Sequence, residues 1–256
     1  MWWTAASKVK APKKIRADDA LVKQGLAPSK TRAQALILAG SVYRGTEQIK
    51  KAGQFIPEET ELALKEKDHP WVSRGGIKLD HALKHFGISL KDKVVLDIGS
   101  STGGFTDVAL QAGAKKVFAV DVGKGQLDWS LRNDKRVVVM EGVNARYLTN
   151  EDIAGQVDAV VCDASFISLK TILPAPLNLL KPGGYVIALI KPQFEVGKEN
   201  VGKGGVVRDP LLHEKTVKNI ENWLNALDGF TVQGVTESPI TGPKGNKEFL
   251  IFARKA

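Results

Sequence analysis

Two rhythms divide this chain. From residue 93 to the end, apolar runs recur at 94–98, 117–120, 137–140, 157–162 and 185–190, with helical patterns between them. Strands alternating with helices predict a parallel sheet covered by helices on both faces. Two further runs, 230–235 and 249–253, follow with no helix between them. They fit a hairpin that places one antiparallel strand in the sheet. Residues 13–67 read differently, as a compact α+β unit. Ala20, Leu21 and Val22 begin a short helix that ends near Gly25. Ser29 is placed to cap a second, with Ala33, Leu36 and Ile37 on one face and Gly40 as its stop. Strand-like pieces follow at 41–44, 55–56 and 61–65, with a turn at Gly45 and Pro57 between the last two.

The fold class expected is therefore α/β, a large sheet domain preceded by a small α+β domain. The expected boundaries are a disordered tail over 1–12, a first module over 13–68, a linker over 69–76 and a second module over 77–256. Trp71 and Val72 read as an apolar plug in the linker. The Trp2–Trp3 pair has no account beyond the tail.

Composition adds little until it is mapped. The 256 residues are 43% hydrophobic and 25% charged, an ordinary globular mix that rules out disorder as the main state. One cysteine excludes an internal disulfide framework and fits a reducing compartment, so the cytoplasm is expected. No apolar run approaches a membrane span, and the tail lacks the apolar core of a signal peptide. The net charge of +9 is not evenly spread: residues 1–56 hold eleven basic side chains against three acidic ones. That is a local +8, which leaves about +1 for the rest. A polyanion is the partner this predicts, docked mainly on the first module.

The second module carries the candidate chemistry. Its first run enters LDIGSSTGGFTD, with glycines at Gly99, Gly103 and Gly104. A strand, a glycine-rich turn and a helix bring backbone N–H groups close to a ligand. The spacing departs from the G-x-G-x-x-G of dinucleotide enzymes, which weakens the case for NAD. Asp121 ends the next run in FAVDVG, where an acid can hold the two hydroxyls of a ribose. Asp97, ahead of the turn, can accept from an amine or orient the loop.

Four ionisable residues fall at strand ends or just before the sheet. Lys78 follows SRGG and starts a helix that ends at Gly87. Asp163 ends the fourth run in VVCDASF, Lys191 the fifth in ALIKPQFE, and Glu248 opens the last in GPKGNKEFL. Ligands of open α/β sheets sit at the carboxyl ends of the strands, so Asp163 and Lys191 should face a cleft. Cys162 lies within its run and reads as buried packing rather than a nucleophile. His81 and His85 stand four apart without a third ligand, so no metal is expected. The stretch VGKENVGKGGVVRD, following Lys191, reads as a lid over the site or a loop that contacts the partner.

Family resemblances sharpen this. RADDALVKQGLAPSKTRAQALILAGSVYRG resembles the small RNA-binding domain first seen in ribosomal small-subunit protein four. That resemblance implies RNA contacts from Lys14, Arg16, Lys23, Lys30, Arg32 and Arg44. The glycine turn with Asp97, Asp121 and Asn144 resembles the class I, Rossmann-like methyltransferase fold, which binds S-adenosylmethionine. It implies a donor site of Asp97, Gly99, Ser101, Gly103, Gly104 and Phe105, with Asp121 and Val122 at the ribose and Asn144 at the adenine edge. The order Lys78, Asp163, Lys191, Glu248 resembles the catalytic tetrad of FtsJ-type ribose 2′-O-methyltransferases. A ribose 2′-hydroxyl is a poor nucleophile and must lose a proton as it attacks. In this reading Lys191 is the central base or positioning group, Lys78 orients the 2′-hydroxyl and the adjoining phosphate, and the two acids hold the ammonium groups.

Both modules together, with HPWVSRGGIKLDHAL, DIGSSTGGFTD, CDASFIS, KPQFE and GVVRDP, look like the TlyA family. Its members are ribosomal RNA cytidine 2′-O-methyltransferases that also carry the name hemolysin. The resemblance implies S-adenosylmethionine as cofactor and rRNA of ribosomal subunits as substrate. Neither a membrane nor a metal is expected as a partner, and the protein is expected to act as a monomer. The rival readings are a membrane-lytic hemolysin and a non-catalytic RNA-binding assembly factor.

Overall fold

The computed structural model describes residues 13–38, 40–64, 69–242 and 244–256. The expected tail over 1–12, with its Trp2–Trp3 pair, lies outside them, as do residues 65–68 at the end of the first module. The chain divides into two compact units, Met1–Pro70 and Trp71–Ala256.

The first unit runs β1 (Lys14–Arg16), α1 (Ala17–Lys23), α2 (Lys30–Leu38), β2 (Val42–Arg44), β3 (Glu47–Gln48), β4 (Phe55–Pro57) and β5 (Ala63–Leu64). β1 pairs with β4, and β2 lies between β3 and β5. Pro57 ends β4 instead of separating two strands; in a two-stranded ribbon its missing N–H can face away from the partner. Ser29 caps α2, its Oγ accepting from Arg32 N at 3.2 Å. Ala17, Leu21, Ile37, Val42, Ile49 and Ile56 form the core.

Asp18 is fully buried in this unit. Its carboxylate accepts from Arg16 Nε at 2.9 Å and Nη2 at 2.7 Å, and from Gln34 Nε2 at 3.0 Å. The hydrogen bonds from the Arg16 guanidinium hold it well below the usual carboxylate range. This aspartate ties β1, α1 and α2 together, which explains why the start of α1 is less apolar than a plain core helix.

The second unit opens with α3 (Gly75–Phe86), then β6 (Val94–Ile98), α4 (Gly104–Gln111), β7 (Lys116–Asp121), α5 (Trp129–Arg132), β8 (Val137–Glu141) and β9 (Val157–Cys162). There follow α6 (Leu169–Ile172), α7 (Pro174–Asn178), β10 (Leu180–Ile190), α8 (Pro192–Glu195), α9 (Pro210–Asn225), β11 (Phe230–Glu237) and β12 (Phe249–Lys255). α3 begins three residues before Lys78, because the Gly75–Gly76 pair is helical and not linker. A side chain at Gly76 would come within 2.3 Å of Trp71 Cγ, so Trp71 lies directly on the helix. Trp71 and Val72 pack against the second unit's own core.

The seven strands are ordered β11-β12-β10-β9-β6-β7-β8. β12 is antiparallel to both neighbours, while β10, β9, β6, β7 and β8 are parallel. Alternate residues of the inner strands enter two cores. Val95, Ala119, Val161 and Ile187 pack with Leu79, Phe105 and Leu131 of α3, α4 and α5. Leu96, Val120, Val160 and Ala188 pack with Ile172, Leu177 and Ile220 of α6, α7 and α9. Burial on both faces is why these strands read as continuous apolar runs. From β6 the chain builds outward to β7 and β8, then returns to add β9 and β10 on the other side. A crevice at the carboxyl ends of β6 and β9 follows from that reversal. No helix among the described residues is long and apolar enough to cross a membrane.

Candidate active site

The crevice holds two chambers that share Gly99, Ser101, Asp163, Ser165 and Phe166. The donor chamber, about 470 Å³, lies over the ends of β6, β7 and β8 and is lined by Asp121, Val122 and Asn144 with Ile98, Val120 and Ile167. The acceptor chamber, about 490 Å³, is lined by Lys78, Asp163, Lys191 and Glu248, with Arg74 and Lys244 also bordering it.

The four residues of the predicted tetrad come from four distant segments and meet. Lys78 Nζ, on α3, lies 2.7 Å from Glu248 Oε2 and 3.6 Å from Asp163 Oδ2. Lys191 Nζ, just past β10, lies 2.7 Å from Asp163 Oδ1. It also donates to Asp163 O at 3.0 Å and to Ser165 Oγ at 2.8 Å. Lys78, Lys191 and Glu248 are buried, while Asp163 keeps 19% of its side chain accessible at the chamber wall. Two ammonium groups and two carboxylates cancel, which makes this much burial of charge tolerable.

The donor side is built on the turn between β6 and α4. Gly99 has a φ of +79°, and a side chain there would come within 2.8 Å of Ala164 Cα. Only glycine lets the turn pass this close to the loop after β9. Asp121 binds the same turn, with Oδ2 accepting from Ser101 N at 2.8 Å and Oδ1 from Gly123 N at 2.7 Å. Each oxygen keeps a second lone pair for a ligand hydroxyl. Asn144 Oδ1 accepts from Arg146 N at 3.2 Å and so caps the single helical turn that follows. Gly104 and Phe105 border the acceptor chamber. Gly103 lines neither chamber; it lies behind the turn, where a side chain would come within 2.3 Å of Leu131 Cδ1.

Asp97 is fully buried below the turn. Oδ2 accepts from Thr106 Oγ1 at 2.6 Å, whereas Oδ1 is buried without a partner. Burial pushes its carboxyl up to about 7, against the Thr106 hydrogen bond. Ser100 Oγ and Gln193 Oε1, on residues that border the acceptor chamber, are likewise buried and unpartnered. Buried polar atoms usually find partners, so orphans gathered around one cleft fit a site shaped for a polar ligand. With an amphipathic chamber beside them, these residues fit S-adenosylmethionine.

Two carboxylates that the sequence reading did not single out brace the site. Glu195, at the end of α8, accepts from Ser168 Oγ at 2.7 Å and from Leu169 N at 2.8 Å. It joins the loops that carry Asp163 and Lys191, and burial pushes its carboxyl up. Between those two bridges Phe166 has a φ of 66° and 88% exposure, with its ring 5.1 Å from that of Phe194. Glu141, at the end of β8, accepts from Gly125 N at 2.8 Å, Gln126 N at 2.9 Å and Arg132 Nη2 at 2.6 Å. These bonds, that from Gly125 first, hold its carboxyl down at about 2. Glu141 thus fixes the loop after Asp121.

Cys162 is fully buried and its thiol is pushed up to about 12 by burial, which leaves it no nucleophilic role. His81 and His85 stack with ring centroids 5.7 Å apart. The glycine-rich stretch after Lys191 borders neither chamber beyond Phe194. It is stitched to the Glu248 segment by buried Asn246, which accepts from Val207 N at 3.0 Å and donates to Gly205 O at 2.9 Å. Of the six cations expected to contact RNA, Arg16, Lys23, Lys30 and Arg44 pair with carboxylates, and Lys14 and Arg32 make no ion pair among the described residues.

This fold, with paired lysines and acids at the crevice, defines a methyltransferase of the FtsJ-like class, and residues 71–255 match the FtsJ-like methyltransferase family. A Mycobacterium tuberculosis protein named 16S/23S rRNA (cytidine-2′-O)-methyltransferase TlyA is 46% identical over 94% of this chain and 90% of its own length. Hemolysin A of Brachyspira hyodysenteriae is 42% identical over 92% of this chain and 98% of its own length. A solved structure from Streptococcus thermophilus, named a hemolysin, is 46% identical with a TM-score of 0.74, covering 96% of this chain and 90% of that one. The chain belongs to the TlyA family of FtsJ-like methyltransferases.

Proposed function

We propose that this protein transfers a methyl group from S-adenosylmethionine to the 2′-hydroxyl of a cytidine ribose in ribosomal RNA, acting as a cytoplasmic monomer. The observation that carries this reading is the meeting of Lys78, Asp163, Lys191 and Glu248 at the junction of two chambers. When bound, S-adenosylmethionine supplies a sulfonium-activated methyl, so the protein has chiefly to align and to manage a proton. Asp121 would hold the cofactor's ribose, Asn144 its adenine edge, and Asp97 with Ser100 its amino-acid end.

On the acceptor side, Lys191 as an ammonium donates to Asp163 O at 3.0 Å and to Ser165 Oγ at 2.8 Å, and stands 2.7 Å from Asp163 Oδ1, which has no hydrogen-bond partner of its own. It has no lone pair free in that state. It can take the 2′-hydroxyl proton only as it hands one of its own to Asp163 Oδ1. The base is therefore the Lys191–Asp163 pair. Lys191 also directs an N–H at the 2′-oxygen wherever the nucleotide displaces Ser165 Oγ. Lys78, gripped by Glu248, holds the far side of Asp163. Phe166 offers an exposed aromatic face beside this point, a surface on which an unstacked base can rest.

The test is transfer of tritiated methyl to purified ribosomal subunits. The wild type should label rRNA, and Lys191→Ala and Asp163→Ala should not. Full activity in both variants would overturn the reading.

A further inference from the structure

A 2′-hydroxyl does not enter a site alone. The neighbouring 3′-carbon carries a phosphodiester, so any polynucleotide that reaches Lys191 brings an anion into the acceptor chamber. The chamber interior has no cation to spare for it. Lys78 is 5% exposed and already bonded to Glu248, and Lys191, 6% exposed, is ion-paired with Asp163 and donates to Asp163 O and Ser165 Oγ.

Two other cations border the same chamber, Arg74 ahead of α3 and Lys244 in the loop before β12. Both are exposed, and among the described residues neither pairs with a carboxylate. Arg74 Nη2 donates to Thr241 O at 2.9 Å, which sets the guanidinium beside the turn that carries Lys244 and leaves its other N–H groups available. That turn is rigid. Gly242 N donates to Asn246 O at 2.9 Å, Gly245 N to Gly242 O at 2.8 Å, and Asn246 itself is buried and bonded on both sides. The arrangement supplies a planar fork and a point charge, the two side-chain types best suited to phosphate.

We propose that Arg74 and Lys244 clamp the phosphate next to the methylated ribose, and so set which 2′-hydroxyl reaches Lys191. The proposal rests on the RNA-methylating reading above. It moves the phosphate contact from Lys78 to these two residues, and it gives the near-neutral second unit an RNA contact of its own.

The test compares wild type, Arg74→Ala, Lys244→Ala and Arg74→Lys, with Lys115→Ala as an exposed control at the opposite end of the sheet. Binding to ribosomal subunits is measured across a salt series, alongside methylation kinetics and S-adenosylmethionine affinity. Each alanine variant at the clamp should raise KM for RNA about tenfold and lower the salt slope of binding by about 1. Its kcat should stay within about twofold and its cofactor affinity should change far less than its KM for RNA. Arg74→Lys should recover only part of the loss, because it keeps the charge and loses the fork. Wild-type slope and KM in both alanine variants would overturn the clamp. A wild type that binds RNA but never methylates it would overturn the reaction instead, and the salt slopes would still decide the clamp.

Discussion

Lys191 Nζ stands 2.7 Å from Asp163 Oδ1 at the place where the donor and acceptor chambers meet. Each residue lies one step beyond the end of its strand, β10 and β9, and those strands are parallel neighbours. Asp163→Asn keeps the shape but removes the proton acceptor. We expect kcat to fall by about two orders of magnitude or more, with S-adenosylmethionine affinity held within a few-fold. Lys191→Ala should cost a similar amount, and the double variant little more, because the two act as one unit. Single-turnover methylation and cofactor calorimetry check both parts.

Glu195 works at one remove from that pair. Its carboxylate clamps Ser168 and Leu169, and so holds the Phe166 turn of the Asp163 loop against the segment after Lys191. Glu195→Ala should lower kcat about tenfold without changing cofactor affinity. Glu195→Gln, whose amide can still accept from Leu169 N and donate to Ser168 Oγ, should restore most of it. Equal losses in both variants would show that charge, not geometry, is what matters there.

Glu141 should govern the donor instead. Glu141→Gln should weaken S-adenosylmethionine binding by loosening the loop over 123–127, with kcat at saturating cofactor little changed. Its folded-state carboxyl, at about 2, lies below the ordinary glutamate value of 4.5. The stability it contributes is therefore present above the unfolded value and lost as pH falls from about 4.5 through about 2. Thermal melts of wild type and Glu141→Gln should differ at pH 6 and converge near pH 2.

Asp97 has the opposite sign. Its carboxyl lies at about 7, above the ordinary aspartate value of 3.8, because it is buried. The stability that its protonated form contributes is full below the unfolded value and lost as pH rises through about 7. Asp97→Asn, which can still accept from Thr106, should melt higher than wild type at pH 8. The same change should weaken S-adenosylmethionine binding, and should flatten the rise in affinity that we expect as the wild type ionises near pH 7. Melting curves and calorimetry at pH 6 and pH 8 check the pair of effects.

The sheet was legible because strands buried on both faces must be apolar along their whole length, and the tetrad because Asp163 and Lys191 follow strand ends and the order of all four resembles that of FtsJ-type enzymes. Glu141 and Glu195 were not. A carboxylate that accepts backbone N–H groups from a loop far away in sequence has no spacing to betray it. α3 was placed late because Gly75 and Gly76 look like linker until Trp71 is seen lying on them. Asp18 carries no signal in the sequence, yet buried pairing with Arg16 and Gln34 makes it a structural hub. For the same reason a count of basic residues overstates the free charge. Arg16 is tied to buried Asp18, and Lys23, Lys30 and Arg44 have acidic neighbours of their own, although those three exposed pairs are weak and can be exchanged for phosphate.

The identity of the methylated nucleoside tests the central claim most directly. rRNA labelled by the purified protein and S-adenosylmethionine is digested to nucleosides and resolved by mass. The account predicts 2′-O-methylcytidine as the product, present with wild type and absent with Asp163→Asn. Label on a cytosine ring, on another ribose, or undiminished in Asp163→Asn would contradict it.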